Sequence, residues 1–156
     1  MEQKTKVHAE NGPQEITVTR TFDLPVELLF KAYTKPELVE QWMGNTVIKL
    51  ENKPHGSYRF EKKDSNGQVV FSAHGTIHDL KENQLITRTF EMDNAGFPAQ
   101  LEFLEFGSID DSKSHLNIKM VFRSVEDRDN MLKLPFAYGL NMAHSQLQTI
   151  MEKLKQ

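Results

Sequence analysis

Six histidines and no cysteine set the terms for any chemistry in this chain. Without a thiol there is no Cys–His nucleophile, no disulfide and no cysteine-ligated metal. No serine sits in a Gly-x-Ser-x-Gly turn, and neither a Gly-rich phosphate loop nor a His-Glu-x-x-His zinc motif occurs. His74 and His78 share one face of an extended segment, but about 13 Å of strand would separate them, too far to chelate one ion. No metal and no cofactor is expected. His144 stands out because it falls on an apolar stripe with Leu140, Ala143, Leu147, Met151 and Leu154. A histidine there is either bonded to a backbone carbonyl in the core or is a donor inside a ligand cavity. Asn141, one turn away, could orient a guest. Acid–base chemistry would need a carboxylate converging on His144, with Asp79 and Glu105 as the candidates. Arg20 shares a face with Ile16, Val18 and Phe22, and suits an ion pair with Glu27 or Asp79 better than a catalytic role.

Composition narrows the setting. The 156 residues suffice for one domain with a real core, and 38% of them are apolar against 26% charged. Nineteen basic against twenty-two acidic residues give a net charge of −3, which leaves no broad basic footprint for nucleic acid. No apolar stretch approaches the roughly 20 residues of a membrane span. The first fourteen residues, MEQKTKVHAENGPQ, are polar and lack the apolar stretch of a signal peptide. They read as a flexible leader over residues 1–14, ahead of a single domain over 15–156 in a cytoplasmic protein.

Periodicity places the elements that must carry these groups. Ile16, Val18 and Phe22 alternate with Thr17, Thr19 and Thr21, the signature of a half-buried strand. Asp23 is set to cap a helix with Pro25 near its first position, and Val26, Leu29, Phe30 and Tyr33 form that helix's apolar stripe. Pro36 starts a shorter helix that ends at Trp42, the only tryptophan. Strand-like alternation follows as far as Phe122, with a hairpin at Asn66-Gly67 and a bend or bulge at Gly75. Ser124, with Asp127 three residues on, opens a helical region that Pro135 kinks or divides. A helix from Phe136 to Leu154 would be about 28 Å long. One strand, two short helices, six strands and a long helix make an α+β fold with a seven-stranded antiparallel sheet. Such a sheet curls, and the last helix buries its apolar face in the concave side. The space left over is filled by rings or kept as a cavity.

At this point the chain resembles the SRPBCC superfamily, the helix-grip (START-like) fold shared by lipid-transfer domains and birch pollen allergen. Within it, the chain is most similar to the family related to the C-terminal domain of the activator of the heat-shock-protein-90 ATPase. The residues that carry the resemblance are Arg20-Thr21-Phe22-Asp23-Leu24-Pro25, Ala32-Tyr33-Thr34-Lys35-Pro36-Glu37 and Gln41-Trp42. Further on they are Gly56-Ser57-Tyr58-Arg59-Phe60, Asn66-Gly67 and Gly75-Thr76-Ile77-His78-Asp79. It departs from many relatives in Met43 after the tryptophan, in Leu50-Glu51-Asn52 before the turn, and in His55 in place of a turn glycine.

The resemblance implies a hydrophobic cavity between sheet and terminal helix, and the first expectation is a small lipophilic molecule bound there without catalysis. Candidate lining residues are Trp42, Tyr58, Phe60, Phe71, Phe90, Phe103 and Met120. On the helical side they are Phe122, Phe136, Tyr138, Leu140, Met142, His144 and Leu147, with His144 or Tyr138 fixing orientation. The same cavity could serve a polyketide-cyclase or hydrolase type of enzyme, since this fold hosts both. A third expectation is a stress-related module that contacts a chaperone. Exposed sheet edges also suggest a homodimer.

Overall fold

Alternation over residues 15–22 builds the strand on which the interior is laid. This strand, β2 (Glu15–Phe22), buries Ile16, Val18, Arg20 and Phe22 and turns the threonines the other way. The structure, a computed structural model, describes residues 4–8 and 13–155. From β2 the chain enters α1 (Val26–Thr34) and α2 (Pro36–Met43), then β3 (Thr46–Leu50), β4 (Ser57–Lys63), β5 (Val69–Lys81) and β6 (Leu85–Met92). It continues through β7 (Gln100–Asp110) and β8 (Lys113–Val121) to α3 (Val125–Leu132) and α4 (Phe136–Glu152).

Among the described residues the curled antiparallel sheet has eight strands, in the order β1-β2-β8-β7-β6-β5-β4-β3. The strand beyond the expected seven is β1 (Lys6–His8), which sets Lys6 opposite Thr19 and Val7 opposite Val18. The segment read as a flexible leader therefore supplies an edge strand. Three residues with a single apolar member offer no period to detect. Residues 1–3 and 9–12 of that leader lie outside the described residues.

Local chemistry explains most of the boundaries. Ser124 Oγ accepts from the Asp127 N–H at 3.0 Å, the cap read from the sequence, and Pro135 separates α3 from α4. Asp23 does not cap α1. The cap position belongs to Pro25, whose carbonyl accepts from the Leu28 and Leu29 amides at 3.0 and 3.1 Å. Asp23 lies two residues upstream, and its backbone is held instead by Gln148 of α4. Trp42 Nε1 donates to the Ala32 carbonyl at 2.7 Å and locks α2 onto α1.

The hairpin at Asn66-Gly67 joins β4 to β5 as expected, with Gly67 at φ +83°. Gly75 plays a different part from the bulge anticipated for it. The register of β5 on β6 shifts between Ile77 and Asp79. At Gly75 the need is for space: an added Cβ would lie 2.0 Å from the Thr89 carbonyl oxygen. That same carbonyl accepts from the Tyr58 hydroxyl at 2.5 Å.

The core lies between the concave sheet face and the helices. α4 lays His144, Leu147 and Met151 into it, all fully buried. The first half of α4 is less covered, with Phe136, Leu140 and Ala143 partly buried. Gly75→Ala should lower unfolding free energy by about 1–3 kcal/mol, since the clash is with backbone that cannot swing aside. Urea unfolding of wild type and variant would measure it, and an unchanged midpoint would contradict the packing described.

Candidate functional site

Strand alternation sends charge as well as grease into the interior. On β6 the inward positions are Ile86, Arg88 and Phe90, and on β7 they are Gln100, Glu102, Leu104 and Phe106. Arg88 and Glu102 face each other in register. Arg88 Nε donates to Glu102 Oε1 at 3.0 Å, and Gln100 Nε2 donates to Glu102 Oε2 at 2.9 Å. The two charged side chains are only 10% and 6% exposed. The guanidinium also lies 5.1 Å from the centre of the Tyr58 ring, a cation–π distance. Burial opposes the Arg88 charge, but Tyr58 and Glu102 outweigh it and raise its pKa. Burial pushes up the phenols of Tyr33 and Tyr58; nearby Arg88 opposes that shift and Glu102 adds to it. Both therefore stay neutral phenols.

A second polar group sits under α4. The Tyr33 hydroxyl is 3.0 Å from His144 Nε2, and Thr5 Oγ1 is 2.8 Å from His144 Nδ1. The imidazole meets Phe22 edge-on, with ring centres 5.6 Å apart, and lies 6.2 Å from Trp42. Burial, with the Arg20 charge adding to it, lowers the His144 pKa to about 3. At neutral pH it is an uncharged imidazole. Where the pattern suggested Glu27 or Asp79 beside Arg20, the structure places Thr5, Asn141 and Ser145 around the guanidinium.

The family profile described as "Activator of Hsp90 ATPase homolog 1-like protein" matches residues 23–152. The chain belongs to that family. Its helix-grip fold is shared with solved structures of low sequence identity. The crystal structure of Ms6760 from Mycobacterium smegmatis is 18% identical with a TM-score of 0.83, covering 94% of this chain and 96% of that one. A crystal structure from Rhodobacter sphaeroides is 17% identical with a TM-score of 0.86, covering 96% and 99%. A solution structure from Staphylococcus epidermidis is 21% identical with a TM-score of 0.78, covering 94% of each chain. Likeness at this identity fixes the fold and nothing finer. No curated protein matches the sequence.

Within this helix-grip frame the candidates separate. Trp42, Tyr58, Phe60, Met120, Phe122, His144 and Leu147 are buried in the core. Phe90, Phe136 and Leu140 are partly buried against it, and Phe71 is half-buried at the inward parity of Ala73 and Ile77. Three candidates face elsewhere. Phe103 lies between Glu102 and Leu104, so the pleat that turns those two inward turns it out. Tyr138 and Met142 are 70% and 53% exposed, on the side of α4 opposite His144 and Leu147.

The carboxylates weighed for acid–base work, Asp79 and Glu105, are both exposed. Among the described residues the carboxylate buried in the interior is that of Glu102. Sequence reasoning passed over Glu102, Arg88 and Gln100, although each alternates with apolar neighbours and so shares their face. That alternation was the available signal.

A histidine cluster on the convex face does other work. Ser72 Oγ donates to Asp93 Oδ2 at 2.6 Å, Arg59 donates to the same oxygen, and His74 Nδ1 lies 2.7 Å from Asp93 Oδ1. The Ser72 bond, followed by Arg59, lowers the Asp93 pKa to about 2. A hydroxyl that gives its proton to a carboxylate is not activated by the neighbouring imidazole. The cluster ties β4, β5 and the end of β6 together.

Two outcomes follow from this interior. Glu102→Leu strands a buried guanidinium and should cost about 3–5 kcal/mol, whereas Arg88→Leu with Glu102→Leu should recover most of that loss. Urea unfolding of both variants decides it, and a double variant no better than the single one would contradict the pairing. The His144 pKa is depressed from about 6.5 when unfolded to about 3 when folded, so its contribution is present above pH ~6.5 and lost as pH falls toward 3. Relative to His144→Gln, wild type should lose up to ~1.4 kcal/mol more per pH unit across that window. Parallel stability–pH curves would rule this out.

Proposed function

We propose that the protein binds a small lipophilic molecule in the interior between the curled sheet and α4, without converting it. The observation that carries this reading is the Arg88–Glu102–Gln100 group buried on the concave face. An interior selected for stability alone gains little from a buried ion pair, because desolvation offsets much of the attraction. A mostly apolar chamber with a few fixed polar groups is the ordinary make-up of a small-molecule site. Support also comes from the uneven seating of α4, tight at His144, Leu147 and Met151 and looser from Phe136 to Ala143. Guest molecules would pass beside that looser half. Affinity would come from apolar burial at roughly 25 cal/mol per Å², less the cost of association.

Catalysis finds less support. Glu102 is already engaged by Arg88 and Gln100, and the neutral His144 is engaged by Tyr33 and Thr5. No described helix is long and apolar enough to cross a membrane.

Trp42 is the chain's only tryptophan, with its ring centre 5.0 Å from that of Tyr33, so its emission reports on the interior. Titration with N-phenyl-1-naphthylamine, an uncharged lipophilic probe, should change Trp42 emission saturably, and native mass spectrometry should show one probe per chain. A linear, non-saturating response with no bound species would refute the proposal.

A further inference from the structure

One row of register partners crosses the concave face: Ile77, Arg88, Glu102, Met120 and Ile16. All five are buried, and the charged pair has apolar residues on either side. A pair needed only to satisfy itself would close as a fork, two guanidinium nitrogens on two carboxylate oxygens. This one does not. Arg88 gives Glu102 a single bond, from Nε to Oε1 at 3.0 Å, and the second carboxylate oxygen goes to Gln100. The Tyr58 ring covers one face of the guanidinium. Neither Nη1 nor Nη2 donates to a described residue, although the side chain is only 10% exposed. Neither is sealed in, so the open tenth of that side chain includes its far end.

The terminal N–H groups of a permanent cation, set among buried side chains without an acceptor from the described residues, are a cost that stability alone gives no reason to carry. What would satisfy them follows from the charge already present. Arg88 and Glu102 cancel, and burial keeps Tyr58 neutral. A second carboxylate would meet that of Glu102 in a medium where like charges repel strongly. An alcohol brings a proton that needs an acceptor of its own. An uncharged carbonyl oxygen does neither. It accepts in its own plane, and from a guanidinium the bond is charge-assisted and so roughly twice as strong as a neutral one.

We propose that Arg88 Nη1 and Nη2 anchor the carbonyl oxygen of an uncharged lipophilic ligand: a ketone, ester or amide. This rests on the reading of the interior as a ligand chamber, and adds the ligand's chemical class and the group that fixes it. Glu102 and Gln100 are positioning residues. By holding the Nε edge toward β7, Glu102 leaves the far end of the guanidinium open, and Gln100 keeps Glu102 in place.

Three probes on one body test it: the ketone 6-propionyl-2-dimethylaminonaphthalene, the bare 2-dimethylaminonaphthalene, and 6-dimethylamino-2-naphthoate, which carries a carboxylate. In the full chain, wild type should bind the ketone at least about tenfold more tightly than the bare body. Arg88→Leu with Glu102→Leu removes both charges together, so neither is left stranded. In that variant the ketone's advantage should fall below about threefold. The infrared carbonyl stretch of the ketone bound to wild type, isolated by carbon-13 labelling, should lie below its position in an aprotic solvent. That reading stands even if the double variant fails to fold. Equal binding of ketone and bare body, an advantage that survives in the double variant, or an unshifted stretch would overturn the anchor and leave the ligand chamber standing. Tighter binding of the carboxylate than of the ketone would overturn the uncharged class. Binding of none of the three to wild type would overturn anchor and chamber together.

Discussion

A guanidinium and a carboxylate share the dry side of the sheet, and the interior is arranged around keeping them satisfied. Arg88 and Glu102 sit opposite one another on β6 and β7, so the pairing register itself brings them together. Gln100 takes the second carboxylate oxygen, and the Tyr58 ring takes the face of the guanidinium. Tyr58 is held in turn by the Thr89 carbonyl, which approaches so closely only because residue 75 lacks a side chain. A glycine on one strand, a tyrosine on its neighbour and an ion pair beyond thus form one dependency. Such a pair is a poor source of net stability, since taking two charges from water offsets most of their attraction. It is a good source of shape, because the partners tolerate only one register.

The helical side solves a related problem with uncharged groups. His144 projects from the stripe that grips the sheet, where a charged ring would be intolerable, and burial holds it neutral. Tyr33 from α1 and Thr5 from the chain's start then bracket its two nitrogens. Helix, hairpin of helices and edge segment are therefore fastened at one imidazole, and the aromatic faces of Phe22 and Trp42 exclude water around it.

Much of this was legible in the residue pattern. Alternation at Ile16, Val18 and Phe22, the stripe on α1, the Ser124 cap, the Pro135 break and the Asn66-Gly67 hairpin all act over a few residues, and local signals locate local structure. The misplacements share a different cause. The pattern around Arg20 suggests Glu27 or Asp79, whereas Thr5, Asn141 and Ser145, which bond to it, come from the two ends of the chain. Phe103, Tyr138 and Met142 have the chemistry of lining residues, but the period of their elements turns each of them outward. Glu102 and Arg88 escape notice for the converse reason, since charge suggests a surface even when parity points inward. β1 left no trace because a strand of three residues is recognisable only by what it pairs with.

The ends of the sheet bear on how this molecule behaves in a crowd. An open antiparallel ladder invites a neighbour to add a strand, and long flat borders are where amyloid-like stacking begins. Among the described residues one border is β1, three residues long, and the other is β3, where the register skips Ile48 between Val47 and Lys49. Short strands and register breaks are two of the devices that blunt an open sheet edge. A sheet with blunted rims of this kind can keep its middle curved and accommodating at a lower risk of edge-to-edge growth.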